Sequence, residues 1–198
     1  MAEMVSRVPM LMPEAARSAA SDVELNPRLA GLNVFRVLLR DPELARDLAA
    51  TLQRLLAVDA ALDARLRELV IMRIGWRTTS MYEWTQHWRV ARRLQIPEAD
   101  ILAVRDWRNA TNLSAADKAV LAAVDETLDE GMISDSTWAT CAEHLASPRE
   151  RIQLVIVIGN WTMFSQLLKS LCIPLEEGAT AWPPDGLAGP ANGPGTHA

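Results

Sequence analysis

The chain has 198 residues, 49% of them hydrophobic, and a net charge of -5. That is enough apolar material for a real core, which excludes a disordered chain. The acidic balance argues against nucleic acid as the main partner, since binding a phosphate backbone needs a basic footprint.

The N-terminal apolar patch at 8–12 is broken by Pro9 and closed by Pro13. It is too short and interrupted for a signal peptide. Residues 1–25 carry few regular signals. Asn26-Pro27 and Asp41-Pro42 each set a capping side chain before a proline suited to the first helical position. Pro97 opens another helix. Ser114-Ala115-Ala116-Asp117 is a weaker start, and Ser147-Pro148-Arg149-Glu150 the strongest, with serine, proline and glutamate each in its capping place. After Ser147 the residues Ile152, Val155, Ile156, Gly159, Met163, Leu167 and Leu171 recur at three and four, which predicts an amphipathic helix with this stripe toward the core. No segment alternates with period two between turn signals. The expectation is an all-α fold of seven or eight helices between Asn26 and Leu171. From Glu176 onward proline and glycine dominate, as in Trp182-Pro183-Pro184-Asp185-Gly186, which predicts a flexible or partner-draped tail. The domain reading is therefore an extension over 1–25, a helical domain over 26–175 and a tail over 176–198.

No apolar run approaches the roughly 20 residues of a membrane span. The longest, 154–159, has polar flanks, so no membrane partner is expected and the cytoplasm is the default compartment. Cys141 and Cys172 lie far apart without CxxC or metal spacing, and a reducing compartment suits both.

The chemistry concentrates between Glu68 and His87. The run Leu66-Arg67-Glu68-Leu69-Val70-Ile71-Met72-Arg73-Ile74-Gly75-Trp76 is apolar nearly all round and predicts a buried helix. Glu68 shares a face with Ala64, Ile71, Met72 and Gly75, where a carboxylate is costly without a partner. It is either buried there or paired with Arg65 or Arg73 at a surface. Thr78-Thr79-Ser80 then interrupts the pattern and starts a second helix. Ser80, Glu83 and His87 share one face of it, beside Trp84. A hydroxyl, a carboxyl and an imidazole next to aromatic surface suit a proton-transfer pocket. The same residues also fit a plainer account. Ser80-x-x-Glu83 is a legitimate capping box, and Glu83 with His87 an ordinary helical pair.

Several segments resemble the carboxymuconolactone decarboxylase family, whose fold is alkylhydroperoxidase D-like. They are Leu62-Asp63-Ala64-Arg65-Leu66-Arg67-Glu68-Leu69-Val70 and Ser80-Met81-Tyr82-Glu83-Trp84-Thr85-Gln86-His87. Ile133-Ser134-Asp135-Ser136-Thr137-Trp138 and Ile158-Gly159-Asn160-Trp161-Thr162-Met163 are similar too, continuing to Leu171-Cys172-Ile173-Pro174-Leu175. Together the resemblance spans roughly 25–176. The family's peroxidase branch has a glutamate, a CxxC pair and a histidine four residues after the second cysteine. By that spacing Glu68 and His87 take the glutamate and histidine places, while Ser80 and Glu83 stand where the cysteines would be. Thiol peroxidase chemistry needs an attacking and a resolving thiol, and neither residue supplies one.

The resemblance thus implies a cofactor-free acid/base enzyme, a carboxy-lyase acting on a small oxygenated carboxylic acid or lactone. In that reading His87 donates or shuttles the proton, Glu68 orients it, and Glu83 is a second acid/base group. Ser80 donates to substrate oxygen, Tyr82, Trp84 and Trp88 form walls, and Arg73 or Arg77 meets a substrate carboxylate. A trimer or hexamer of identical subunits is the implied assembly. The alternative is a helical oligomer that binds a small molecule or protein without turnover. A metal held by Glu68, Glu83 and His87 is a lesser reading, because helical metal sites usually use Glu-x-x-His spacing and more ligands.

Overall fold

The computed structural model describes residues 6–190, and helices are the only regular secondary structure among them. The helices are α1 (Pro13–Asp22), α2 (Asn33–Leu38), α3 (Pro42–Leu55), α4 (Ala64–Arg77), α5 (Met81–Arg93), α6 (Glu98–Ala103), α7 (Ala115–Glu130), α8 (Asp135–His144) and α9 (Pro148–Ser170). Eight of them lie between Asn26 and Leu171.

Most starts follow the caps. Asp41 accepts from the Leu44 amide at the head of α3, and Asp63 accepts from Arg65 and Leu66 at the head of α4. Ser114 and Asp117 form a reciprocal box on α7, and Ser147 and Glu150 do the same on α9. Asn26-Pro27 is different. Asn26 Oδ1 accepts from the Arg28 amide, an Asx turn that leads only into a 3-10 turn at Leu29–Gly31. The side chain turns the chain there rather than capping a helix. α1 forms within the N-terminal stretch, with Pro13 in its first turn.

Helix ends carry less signal in the sequence. Glu24, Thr79, Gln95 and Cys172 all sit at positive φ between 51° and 60°. Each is followed by an amide that reaches five residues back: Leu25 to Ala20, Ser80 to Gly75, Ile96 to Ala91 and Ile173 to Leu168. These are Schellman closures without the usual glycine.

The chain divides into two compact units. In the first, the described residues are 6–58 with 167–179. Asn33 organises it, its Nδ2 donating to the carbonyls of Pro174 and Leu175 while its amide donates to Glu176. The second comprises 59–166 with 180–190. Its core joins Leu69, Met72, Trp76, Trp84, Trp88 and Trp107 to Ile96, Ile101, Leu121 and Trp182.

α4 is the buried centre of the second unit, with Arg67 through Trp76 all buried. Gly75 permits the α4–α5 approach, since a Cβ there would stand 3.2 Å from the Trp84 backbone nitrogen. The expected stripe on α9 corrects differently. Ile152, Val155 and Ile156 are exposed, and the helix buries Leu154, Val157, Ile158, Trp161, Phe164, Ser165 and Leu168 instead. A helix apolar on two sides does not declare which side meets the core.

The tail also departs from expectation. Trp182 is buried among the tryptophans, its amide donates to Thr85 Oγ1, and Trp84 Nε1 donates to the Pro183 carbonyl at 2.8 Å. Thr79 Oγ1 donates to the Pro190 carbonyl, and a Cβ on Gly189 would collide with the Trp76 carbonyl oxygen. The tail is thus packed on the second unit as far as Pro190.

Candidate functional site

The site lies within the second unit, where α5 faces α4 on one side and α9 on another. Glu68, on α4, is fully buried. Its Oε2 lies 2.7 Å from His87 Nδ1, and its Oε1 accepts from Arg67 Nε at 3.2 Å. Neither suggested surface pairing forms. Arg65 bridges Asp117 and Asp100, while Arg73 turns to Asp125.

His87 Nε2 accepts from Trp161 Nε1 at 2.9 Å. An indole N–H can only donate, so in the neutral imidazole Nε2 is the acceptor and Nδ1 carries the proton. Glu68 then receives that proton in its hydrogen bond. Both ring nitrogens are engaged, and the Trp161 ring stands edge-on at 5.5 Å between centroids.

Four residues along α5, Glu83 is buried with its Oε2 accepting from Ser165 Oγ on α9. Positions 83 and 87 therefore meet 165 and 161, a pair of rungs between antiparallel helices, each spaced by four residues. Ser80 is the N-cap of α5 yet makes no capping bond through its side chain. The capping-box reading thus fails. Ser80 Oγ and Glu83 Oε1 are both buried without a hydrogen-bond partner among the described residues.

Burial pushes Glu83 up to about 8, against the pull of the Ser165 hydroxyl and, more weakly, of Ser80. Near neutral pH the carboxyl is protonated. With Oε2 accepting from Ser165, its proton belongs on Oε1, the oxygen with no protein acceptor. A neutral carboxylic acid and a hydroxyl thus stand side by side with donor capacity to offer.

The other candidates have settled partners. Arg73 places Nε and Nη2 on Asp125 at 2.8 and 2.9 Å and Nη1 on the Val104 and Arg105 carbonyls. Arg77 bonds Asp125 and Asp129. Carboxylates of the chain already hold both guanidiniums, buried Asp125 for Arg73, and Asp125 with the exposed Asp129 for Arg77. Trp84 is fully buried and stacks with Trp88 at 6.2 Å, so it is core rather than wall. Trp88 and Tyr82 are buried too, and Trp88 lines an open groove of about 640 Å³ with Gln86, Arg89, Arg92 and Arg93. Sequence reading missed Trp161 and Ser165. Their spacing of four, equal to that of Glu83 and His87, was the available signal. Among the described residues no three acidic, histidine or cysteine side chains converge as a metal group would require.

The same geometry stands beside a family match. Residues 42–126 match the carboxymuconolactone decarboxylase family model. The family segment contains Glu68, Ser80, Glu83 and His87 and ends before α9, so half of each rung lies outside it. It is narrower than the 25–176 resemblance read from the sequence. The helical arrangement is the alkylhydroperoxidase D-like fold. It is similar to an AhpD-core, peroxidase-related protein from Ralstonia eutropha JMP134, with a TM-score of 0.73, 16% identity, and coverage of 89% of this chain and 95% of that one. The debrominase Bmp8 in complex with 2,3,4-tribromopyrrole gives a TM-score of 0.67 at 14% identity, over 89% of this chain and 94% of that one. A protein from Agrobacterium tumefaciens, ATU0492, gives 0.62 at 19% identity over 69% and 94%. No curated protein matches the sequence.

Proposed function

We propose that this chain is a cofactor-free acid/base enzyme of the carboxymuconolactone decarboxylase type, acting on a small oxygenated carboxylic acid or lactone. One observation carries the reading. The Glu83 carboxyl is fully buried with no cation bonded to it, so burial raises its pKa to about 8, and the buried Ser80 hydroxyl stands close enough to pull on it.

In a decarboxylation the C–C bond to the carboxylate breaks, carbon dioxide leaves, and the electron pair moves into the conjugated carbonyl of the remaining fragment. Glu83 Oε1–H then delivers a proton to carbon, leaving a carboxylate that Ser165 stabilises through Oε2. Solvent returns the proton. Ser80 donates to the substrate oxygen that gathers charge, as an oxyanion donor does. In this scheme the acid is Glu83. His87, with both nitrogens engaged, fixes the neighbouring wall together with Glu68 and Trp161. The fold neighbours support small-molecule chemistry in this architecture, one of them being a debrominase.

The test is carbon dioxide release from carboxymuconolactone and a panel of related unsaturated acids. Turnover that falls as pH rises through about 8, and is lost in Glu83→Gln, supports the reading. An equally active Glu83→Gln would return the acid role to His87. The engagement of both His87 nitrogens favours one second reading, ligand binding without turnover. Tight binding of the same acids with no product would support it.

A further inference from the structure

We propose that Arg105, seated over the adjoining Trp76 and Trp84 rings, is a binding site for a small free carboxylate, occupied in this structure by the chain's own Asp185. The clamp is distinct from the Glu83 site and does not depend on its chemistry.

Arg105 is built to receive a carboxylate. Its guanidinium carbon lies 4.7 Å from the Trp76 ring centroid and 4.9 Å from that of Trp84. Its side chain is only 13% exposed. Two ring faces thus hold the fork in one orientation and withdraw it from water, which strengthens a charged hydrogen bond. The fork is filled by the tail. Arg105 Nη1 and Nη2 donate to the two oxygens of Asp185 at 2.6 and 3.0 Å. This pairing holds the Asp185 carboxyl well below the usual carboxylate range.

The occupant is replaceable in a way the clamp is not. Asp185 is 45% exposed and sits in 184–188, all exposed, between the buried anchors Trp182 and Gly189. An ion pair half in water contributes little to holding a loop down. The tethered carboxylate also leaves the clamp incomplete. Arg105 Nε is buried without a partner among the described residues. Asp185 approaches the guanidinium end-on, through the two terminal nitrogens. An untethered carboxylate can replace it at the same two terminal nitrogens, which face the exposed loop. Arg105 differs from Arg73 and Arg77 in this respect, since both of those are bonded to the buried Asp125.

The test is calorimetric titration of the full-length protein with benzoate, with benzamide as the uncharged control. A competitor that fills the fork about nine-tenths of the time lowers apparent affinity about tenfold, so Asp185→Ala should bind benzoate about tenfold more tightly than the parent. Asp185 is at the surface, and this variant should keep its near-ultraviolet tryptophan dichroism. Adding Arg105→Gln to Asp185→Ala should abolish binding, and Arg105→Lys should weaken it by removing the fork. Benzoate binding no tighter in Asp185→Ala than in the parent overturns the proposal. So does equal affinity for benzamide, or binding that survives Arg105→Gln.

Discussion

Asp125 and Glu83 are both buried carboxyls on helices that flank α4, and they have opposite fates. Asp125 receives Arg73 through two nitrogens, Arg77, Arg108 and the Trp107 indole N–H. Burial opposes its charge, but these partners outweigh it and hold its pKa below the ordinary value. Glu83 has no cation bonded to it, only the pull of the Ser165 and Ser80 hydroxyls, and burial wins. Burial alone therefore does not decide whether a carboxyl is charged; the number of donors around it does. The saturated carboxylate ties helices together, whereas the unsaturated one keeps a proton that can be given away.

The largest expected effect breaks the first of these. Asp125→Ala leaves the buried Arg73 without its counter-charge and should cost about 3–5 kcal/mol in urea denaturation, as removal of one member of a buried pair does. A midpoint close to the parent's would mean that the arginines find water or other partners.

The second concerns the proton on Glu83. Glu83→Gln should lower turnover by about 100-fold or more, the usual weight of a positioned acid. Folding should not suffer, because glutamine keeps the shape and has no charge to bury. Loss of activity together with a large loss of stability would make Glu83 a structural residue.

pH separates the two carboxyls by sign. Glu83 is raised from 4.5 to about 8, so between those values the folded state holds a proton that the unfolded chain has lost. Its contribution to stability falls as pH rises through this window and levels off above it. Asp125 is lowered from 3.8, so its contribution is present above that value and is lost as pH falls through its folded pKa. Denaturation measured from pH 4 to 9 should therefore show Glu83→Gln gaining on the parent with rising pH. A constant difference would place the Glu83 pKa near its ordinary value.

Smaller effects sharpen the rungs. Trp161→Phe removes the donor to His87 Nε2 and should cost about 1 kcal/mol, the ordinary net worth of one hydrogen bond. Nitrogen-15 spectra of the imidazole should pass from a single Nδ1–H tautomer to a mixture. An unchanged spectrum would show that Glu68 alone fixes the ring. The least effect on stability belongs to Ser80→Ala, within about 0.5 kcal/mol, because its hydroxyl pulls on Glu83 only weakly. Its influence should appear in turnover alone.

How much of this was legible in the sequence depended on range. Capping is local chemistry within four residues, so Asp41, Ser114 and Ser147 announced α3, α7 and α9 correctly. The apolar run around Glu68 announced a buried helix, and spacing by four placed Glu83 and His87 on one face. The ends at Thr79 and Gln95 were silent, because non-glycine residues take the positive φ there and the backbone bonds that close the helices leave no side-chain signal. Which arginine meets which carboxylate was undetermined. The 52 positions between Arg73 and Asp125 are closed only by packing α4 against α7. For the same reason the exposed face of α9, the docking of the tail and the partners Trp161 and Ser165 belonged to the tertiary structure. The sequence by itself determined a helical protein with acid/base residues on α4 and α5. Only the fold decided which carboxyl would be neutral, since a pKa is set by the number of donors that distant segments bring to it.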